Sequence, residues 1–336
     1  MRTGARRCRG RTVCRLAGLL LLALLIYAFA GCVSYADGYP ARPIKLIVPF
    51  PAGSGSDLVA RVIADFMSGA SGQPVTVENR VGAGGNLGMD AVAKSAPDGY
   101  TLAVAAASNI VINPFLYKSL PFDPISDFAP VGPIAEATLT LSISASVPAH
   151  SLGEFVALAK ARPGALNYGS AGVGSISHLS AIQFARASGI EIVHVPYRGI
   201  VQAVTDLIAG HIQMIAGPVG PVMGSMPSER LRILAAFSSV RLPYLPDVPT
   251  AKESGLPNDD LSTWFALFAP AATPRDIITV LGGYLQSAST NPVVQKRLID
   301  NYLLPMNMNP AAFQAQVARD YAKWQSLMQN AGIQPE

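Results

Sequence analysis

From Ile44 onward, short apolar runs alternate with stretches in which apolar residues return every three or four positions. Residues 44–48 (IKLIV) read as a strand that stops at Pro49-Phe50-Pro51. After Ala52-Gly53-Ser54-Gly55-Ser56-Asp57, the residues Leu58, Val59, Val62, Ile63 and Phe66 share one helical face. Residues 75–78 read as a strand, 80–88 (RVGAGGNLG) as a glycine-rich turn and 89–94 as a helix. Pro97-Asp98-Gly99 is a turn, 100–106 a strand, and Ser108-Asn109 stands at its end. The proline-rich stretch 113–133 carries no sustained period and reads as irregular. Strand 139–144 follows, then helix 152–161, capped by Ser151 with Glu154 completing a capping box. Strand 166–169 feeds the loop Ser170-Ala171-Gly172-Val173-Gly174-Ser175 and a helix over 177–187. Strand 190–195 leads through Pro196-Tyr197-Arg198-Gly199 to helix 200–209. Strands are expected at 211–215, 231–237 and 263–268, and the tail is helical over 274–288, 293–302 and 310–330.

Strands separated by helices imply an α/β fold with mainly parallel sheets covered on both faces. Ligands in such folds bind beyond the carboxyl ends of the strands. Three loops at those ends, 51–57, 80–88 and 169–177, are rich in Gly and Ser. A glycine-rich turn entering a helix aims backbone N–H groups at an anion, because the first helical turn lacks internal acceptors and carries partial positive charge. The same turns also serve any α/β protein as ordinary helix caps, so each loop alone says little. If the middle of the chain forms its own sheet, residues 37–140 with 262–336 make one domain and 141–261 an inserted second one. The loops then face each other across a cleft. The order of the strands is not readable from the pattern.

The N-terminus sets the compartment. Six arginines in the first 15 residues precede an apolar run over 16–30 and the small-residue sites Ala28-Phe29-Ala30 and Ser34-Tyr35-Ala36. That is the layout of a secretory signal, expected over residues 1–36. Gly31-Cys32 also resembles a lipoprotein signal end, but Phe29 stands where leucine is usual, so anchoring at Cys32 is the lesser reading. The leader changes the charge picture. Of 25 Lys and Arg, six lie in residues 1–36, while all 21 Asp and Glu lie beyond, leaving 19 cations against 21 anions and a charge of −2. Nucleic-acid binding thereby loses its electrostatic support. All three cysteines, Cys8, Cys14 and Cys32, fall in or beside the leader. A chain starting near Asp37 has no disulfide and no thiolate site, and about 300 residues are ample for two core-stabilised domains.

Catalytic and cofactor signatures are weak. Gly82-x-Gly84-x-x-x-Gly88 is one residue too long for a dinucleotide fingerprint, no Gly-Lys-Ser/Thr loop is present, and no G-x-S-x-G elbow occurs. Ser177 and His178 are adjacent on a helix and point in different directions. His150, His194 and His211 are scattered, so no metal cluster and no cofactor is expected.

The segments YPARPIKLIVPFPAGSGSD (39–57), GQPVTVENRVGAGGNLGMDAVAKSAPDGYTL (72–102), INPFLYKSLPFDPISDFAPV (112–131), LNYGSAGVGSISHLS (166–180), IVHVPYRG (192–199) and LPDVPT (245–250) occur in this order. Together they closely resemble the receptors of tripartite tricarboxylate transporters, the Bug family of periplasmic solute-binding proteins. The resemblance implies a hinged, two-domain receptor of the type II periplasmic-binding-protein kind, with no enzymatic activity. Its ligand would be a small organic acid, such as a di- or tricarboxylate, an amino acid or an aromatic acid. Its partner would be a membrane permease or, in an orphan receptor, a membrane sensor. A monomer is expected.

The resemblance places ligand contact on Phe50, Pro51, Ala52, Gly53, Ser54, Ser56 and Asp57, with Asp57 more a loop-ordering residue than an anion partner. It adds Gly84, Gly85 and Asn86, Ser108 and Asn109, then Ser170, Gly172, Gly174, Ser175 and His178. Pro196, Tyr197 and Arg198 stand beside these, with packing or a rim ion pair weighed equally for Tyr197 and Arg198. At Ala216 and Gly217 the chain departs from the family's Asp-Leu-Met-Phe-Asp run, reading Gln213-Met214-Ile215-Ala216-Gly217-Pro218. Without a carboxylate there, an unaminated organic acid is favoured over an amino acid.

Overall fold

The computed structural model describes residues 38–224, 226, 229–256, 262–332 and 334–335. The leader and its three cysteines lie outside the described residues. Residues 40–336 form one compact unit.

Strands β1 (Ile44–Val48), β2 (Val75–Asn79) and β3 (Thr101–Ala106) make a parallel wing in the order β2-β1-β3. Helices α1 (Gly55–Ser71) and α2 (Asn86–Ala93) are its crossovers. All of β1 except Lys45 is buried, as befits a strand covered on both faces. Short α3 (Asn113–Leu116) leads towards the 17-residue strand β4 (Phe128–Ser144), followed by α4 (Leu152–Ala161). Strands β5 (Asn167–Ser170), β6 (Val193–Pro196) and β7 (Met214–Pro218) make a second parallel wing in the order β7-β5-β6. Its crossovers are α5 (Ile176–Ser188) and α6 (Ile200–Ala209). Short α7 (Val219–Met223), β8 (Leu231–Ala236) and β9 (Ser262–Pro270) follow. The tail holds α8 (Arg275–Thr290), α9 (Pro292–Ile299), β10 (Leu304–Pro305) and α10 (Pro310–Ala331).

Both wings are parallel, as strand–helix alternation requires. Where the chain passes along β4 and returns through β9, the pairs are antiparallel. Strand β4 joins the wings: residues 128–138 pair with β9, and 139–144 pair with β7 and β8. Ala106 at the end of β3 and Ala135 of β4 both pair with Phe265 of β9. Pro218 at the end of β7 pairs with Leu139. Strand β3 runs in the direction of β4 and β7 runs against it, so the carboxyl ends of the two wings point at each other. They lie level with positions four apart on β4, Ala135 and Leu139, roughly 13 Å at a strand's usual rise.

Two departures from the sequence pattern have clear causes. Strand β4 begins at Phe128, inside the stretch expected to be irregular, because the register slips between Pro130 and Gly132 and again between Pro133 and Ala135. The bulges absorb the missing proline N–H groups. Strand β7 starts at Met214, not 211. Residues 210–212 are spent closing α6: Gly210 is left-handed, and His211 and Ile212 donate to the Asp206 carbonyl.

One hydrophobic cluster lies under the first wing, with Ile47, Met89, Ala105, Trp264, Phe268 and Phe313, and another under the second, with Leu141, Phe155, Tyr168, Phe184 and Met214. Ile176, the first residue of α5, packs against both. Among the described residues no helix is long and apolar enough to cross a membrane, and no group of three His, Cys, Asp or Glu side chains could hold a metal ion.

Candidate functional site

The loop after β1 is organised by Asp57, which is buried although charged. Its Oδ2 accepts from the Gly53 N–H at 2.9 Å, and its Oδ1 accepts from Asn79 Nδ2 at 2.9 Å. Arg61 grips both oxygens, from Nε and Nη2, at 3.0 Å each. Burial alone would push the Asp57 carboxyl up; the hydrogen bonds from Arg61, Gly53 and Asn79 outweigh it and hold the group below its ordinary range. Asn79 also donates to the Phe50 carbonyl. Ser54 caps α1 by accepting from the Asp57 N–H. Pro51, Ala52 and Gly53 are left exposed at the tip, with Phe50 and Ser54 half-buried and Ser56 buried.

The loop after β2 is tied down by asparagines. Asn109 Nδ2 and Asn113 Nδ2 both donate to the Gly84 carbonyl, at 3.1 and 3.0 Å. Asn113 also reaches Asn86 Oδ1 at 2.7 Å, and Asn109 Oδ1 accepts from the Ala106 N–H. Ser108 and Asn109 sit in a π-helical turn, Ser108–Ile112, not in the strand itself. Gly85 must be glycine: its φ is +94°, and a Cβ would lie 2.4 Å from Asn109 Nδ2.

The loop after β5 spends its side chains on itself. Ser170 Oγ donates to the Gly172 carbonyl, accepts from the Gly172 N–H, and contacts His194 Nε2 at 2.6 Å. Ser175 Oγ donates to the Gly172 carbonyl at 2.7 Å, and Ser177 Oγ accepts from the Ala171 N–H. His178 Nδ1 accepts from the Gly174 N–H at 3.0 Å. His178 and His194 stack with centroids 4.0 Å apart, and Tyr168 stacks on His194 at 4.9 Å. Burial pushes His178 down to about 4, with the His194 ring adding to it; burial also lowers His194 and pushes the Tyr168 hydroxyl up to about 12.

The loops of the two wings converge on the end of α3, at Leu116 and Tyr117. A Cβ on Gly84 would meet Tyr117 Oη, and one on Gly174 would meet the Leu116 side chain. The structure therefore brings 50–57, 84–86, 108–109 and 170–178 to one place at the facing strand ends. Pro196 and Arg198 are exposed beside them. The Tyr197 hydroxyl donates to Asp206 Oδ2 at 2.7 Å, and burial together with that bond raises it to about 12. Ala216 lies in the hydrophobic cluster of the second wing, and Gly217 is buried, where a Cβ would lie 3.2 Å from Ile215 Cγ2 and 3.4 Å from the Ser177 Cβ. Sequence reading passed over Asn79, Asn113 and His194 as organisers, although all three stand inside the quoted motifs.

Hollows also lie elsewhere. One of about 420 Å³ is bounded by Trp264, Met306, Asp320 and Trp324, one of about 740 Å³ by β4, α8 and residues 306–310, and one of about 450 Å³ by residues 150–153, 233–234 and 247–249. The heads of α1 and α5 border none of these three. The converging loops carry the capped heads of α1 and α5, the positive ends of both helix dipoles, so the candidate site is placed there.

Comparison with known proteins gives the same direction. The family described as "Tripartite tricarboxylate transporter family receptor" matches residues 59–333. Protein BugT of Bordetella pertussis is 35% identical over 319 residues, 95% of this chain and 98% of that protein. The adipate-bound structure of Rpa4515 from R. palustris is 32% identical, with a TM-score of 0.80, covering 89% of this chain and all of that one. Malate-bound MatC from Rhodopseudomonas palustris is 31% identical, with a TM-score of 0.73, covering 86% of this chain and 99% of that one.

Proposed function

The chain belongs to the tripartite tricarboxylate transporter receptor family, and we propose that it works in the periplasm, capturing a small organic acid between its two parallel wings for a membrane permease. The observation that carries this reading is the pair of serine-capped helix heads, α1 and α5, brought together at facing strand ends. Neither the 51–57 nor the 82–88 loop offers a cationic side chain. Arg61, the cation closest to the first loop in sequence, is committed to Asp57. A carboxylate held there relies on N–H groups and helix ends, each terminus worth about 0.3–2 kcal/mol, and on bridging water. Adipate and malate in the related structures are ligands of that kind. The absence of a carboxylate at 216–217 favours an unaminated acid; tighter binding of aspartate or glutamate than of every simple carboxylate would overturn that choice.

Residues 37–140 with 262–336 form one domain in this reading and 141–261 the other, with the hinge where β4 passes from β9 to β7. Ligand should then shrink the radius of gyration in small-angle scattering; an unchanged value with saturating ligand would refute hinge closure. The protein acts as a monomer and not as an enzyme. Ser170 and His194 do touch, but the hydroxyl is wholly buried and committed to Gly172, so it is not presented to a substrate. An orphan receptor signalling through a sensor is the alternative, separated by which membrane protein binds the loaded form. The direct test is a thermal-shift screen against organic acids and amino acids. A true ligand at one hundred times its Kd should add about 2.7 kcal/mol of apparent stability. No shift with any member, in protein shown by native mass spectrometry to be ligand-free, would sink the carboxylate reading.

A further inference from the structure

The two helix heads are built alike, with one telling difference. In each, a serine caps the helix by accepting from the N–H three residues on: Ser54 from Asp57 and Ser175 from His178, both at 3.3 Å. In each, the side chain at that third position reaches back to the N–H of a left-handed glycine, Asp57 to Gly53 and His178 to Gly174. These are capping boxes extended by one residue. Asp57 brings a negative charge to the head of α1, which Arg61 neutralises. A neutral imidazole closes the second box without any charge, so the partial positive charge of α5 stays available to an anion.

The arrangement works only with neutral rings. Nδ1 of His178 accepts from Gly174, so its proton belongs on Nε2. Ser170 Oγ already donates to Gly172, so it accepts the Nε2–H of His194. Protonating His178 would set an Nδ1–H against the Gly174 N–H. It would also place a cation in stacking contact with the second imidazole. The titratable groups packed against the rings are each other, from α5 and β6, and Tyr168 from β5, which stays neutral across this range.

We propose that His178 and His194 are positioning residues, a neutral stacked pair that holds the 170–175 loop in its anion-binding shape and releases it, with the ligand, on acidification. The release half rests on the carboxylate site described above. The sign follows from linkage. The His178 pKa lies below its ordinary 6.5, at about 4. The unfolded or loosened state therefore binds more protons across that interval, and the locked state weakens as pH falls from 6.5 towards 4.

The test uses the full chain, with His178→Asn and His178→Asp. Asparagine offers an oxygen to Gly174 and does not titrate; aspartate copies the Asp57 box but adds charge beside the ligand. Nitrogen NMR of the rings in the unliganded protein should show both Nε2–H tautomers at pH 7.5. The Gly174 amide should shift as His178 protonates. With adipate and malate as probes, affinity from pH 7.5 to 4.5 should fall at least tenfold further in the wild type than in His178→Asn. The acid's own titration cancels in that ratio. At pH 7.5, His178→Asp should keep its melting temperature within about 3 °C yet bind at least tenfold more weakly. Equal pH profiles, or a His178 that titrates near 6.5 without moving the Gly174 amide, would overturn the proposal. If the ring spectra show the lock while neither probe binds at any pH, the loop-holding half stands. The carboxylate reading then falls, and the release half with it.

Discussion

Asp57→Ala is expected to lower folding stability by about 2–3 kcal/mol, the scale for stripping a buried carboxylate from several donors. For a chain of this size that is a fall of roughly 3–5 °C in melting temperature. The variant is also expected to lose capture of any carboxylate. Alanine leaves the Gly53 N–H, Asn79 Nδ2 and the Arg61 fork without their shared acceptor. The Phe50–Asp57 loop then loses the bonds that set its shape. Arg61 is half exposed and can turn to water, so Arg61→Ala should cost much less than the loss of Asp57. The pH dependence has a definite sign. The Asp57 carboxyl is held below its ordinary 3.8, so its contribution is full above about 4 and disappears as pH falls through the lowered folded value. Thermal unfolding from pH 3 to 7 reads both effects. A melting temperature within 2 °C of wild type at pH 7 would show that Asp57 does not organise the loop.

Gly85→Ala should be still more damaging, at about 3–4 kcal/mol. Two costs add. A side chain at φ +94° pays about 1–2 kcal/mol for the left-handed region. Its Cβ also lands 2.4 Å from Asn109 Nδ2 and 3.1 Å from the Pro49 Cβ. Asn109 is wholly buried and bonded at both ends, to the Ala106 N–H and the Gly84 carbonyl, so it cannot step aside without orphaning one of them. Gly69→Ala is the matched control. It lies inside α1 with nothing within 4 Å of a built Cβ, and should gain about 0.5–1 kcal/mol of helix propensity. Urea unfolding of the two variants against wild type decides the matter; equal midpoints for both would remove the close-approach argument.

Much of the fold was legible because local rules and tertiary environment agree. Ser151 caps α4 as expected, its Oγ accepting from the Glu154 N–H, while Glu154 closes the box one residue further back, on the His150 N–H. Strand β1 and the face of α1 appear where alternation and period placed them. Reading failed where the local signal was silent or misleading. The prolines at 130 and 133 argue against a strand, and only bulges opposite β9 make one possible. His178 was legible as a candidate at the ligand through the resemblance, but its bond to Gly174 and its stack on His194 were not, because His194 lies on another strand. The asparagines Asn79 and Asn113 were passed over for the same reason: Asn79 bonds to Phe50 and Asp57 across 29 and 22 residues of sequence, and Asn113 to Gly84 across 29.

By itself, the sequence determined the alternation of strands and helices, the three small-residue loops, the lack of a metal or cofactor motif, and a motif order that resembles one receptor family. Those properties depend on period, composition and neighbours within a few residues. Only the tertiary structure decided that β4 spans both wings, that their carboxyl ends point at each other, and that one helix head is closed by a paired carboxylate and the other by a neutral histidine. Register, strand order and a ring stacked 4.0 Å from another come from contacts between residues distant in the chain, which no local pattern encodes.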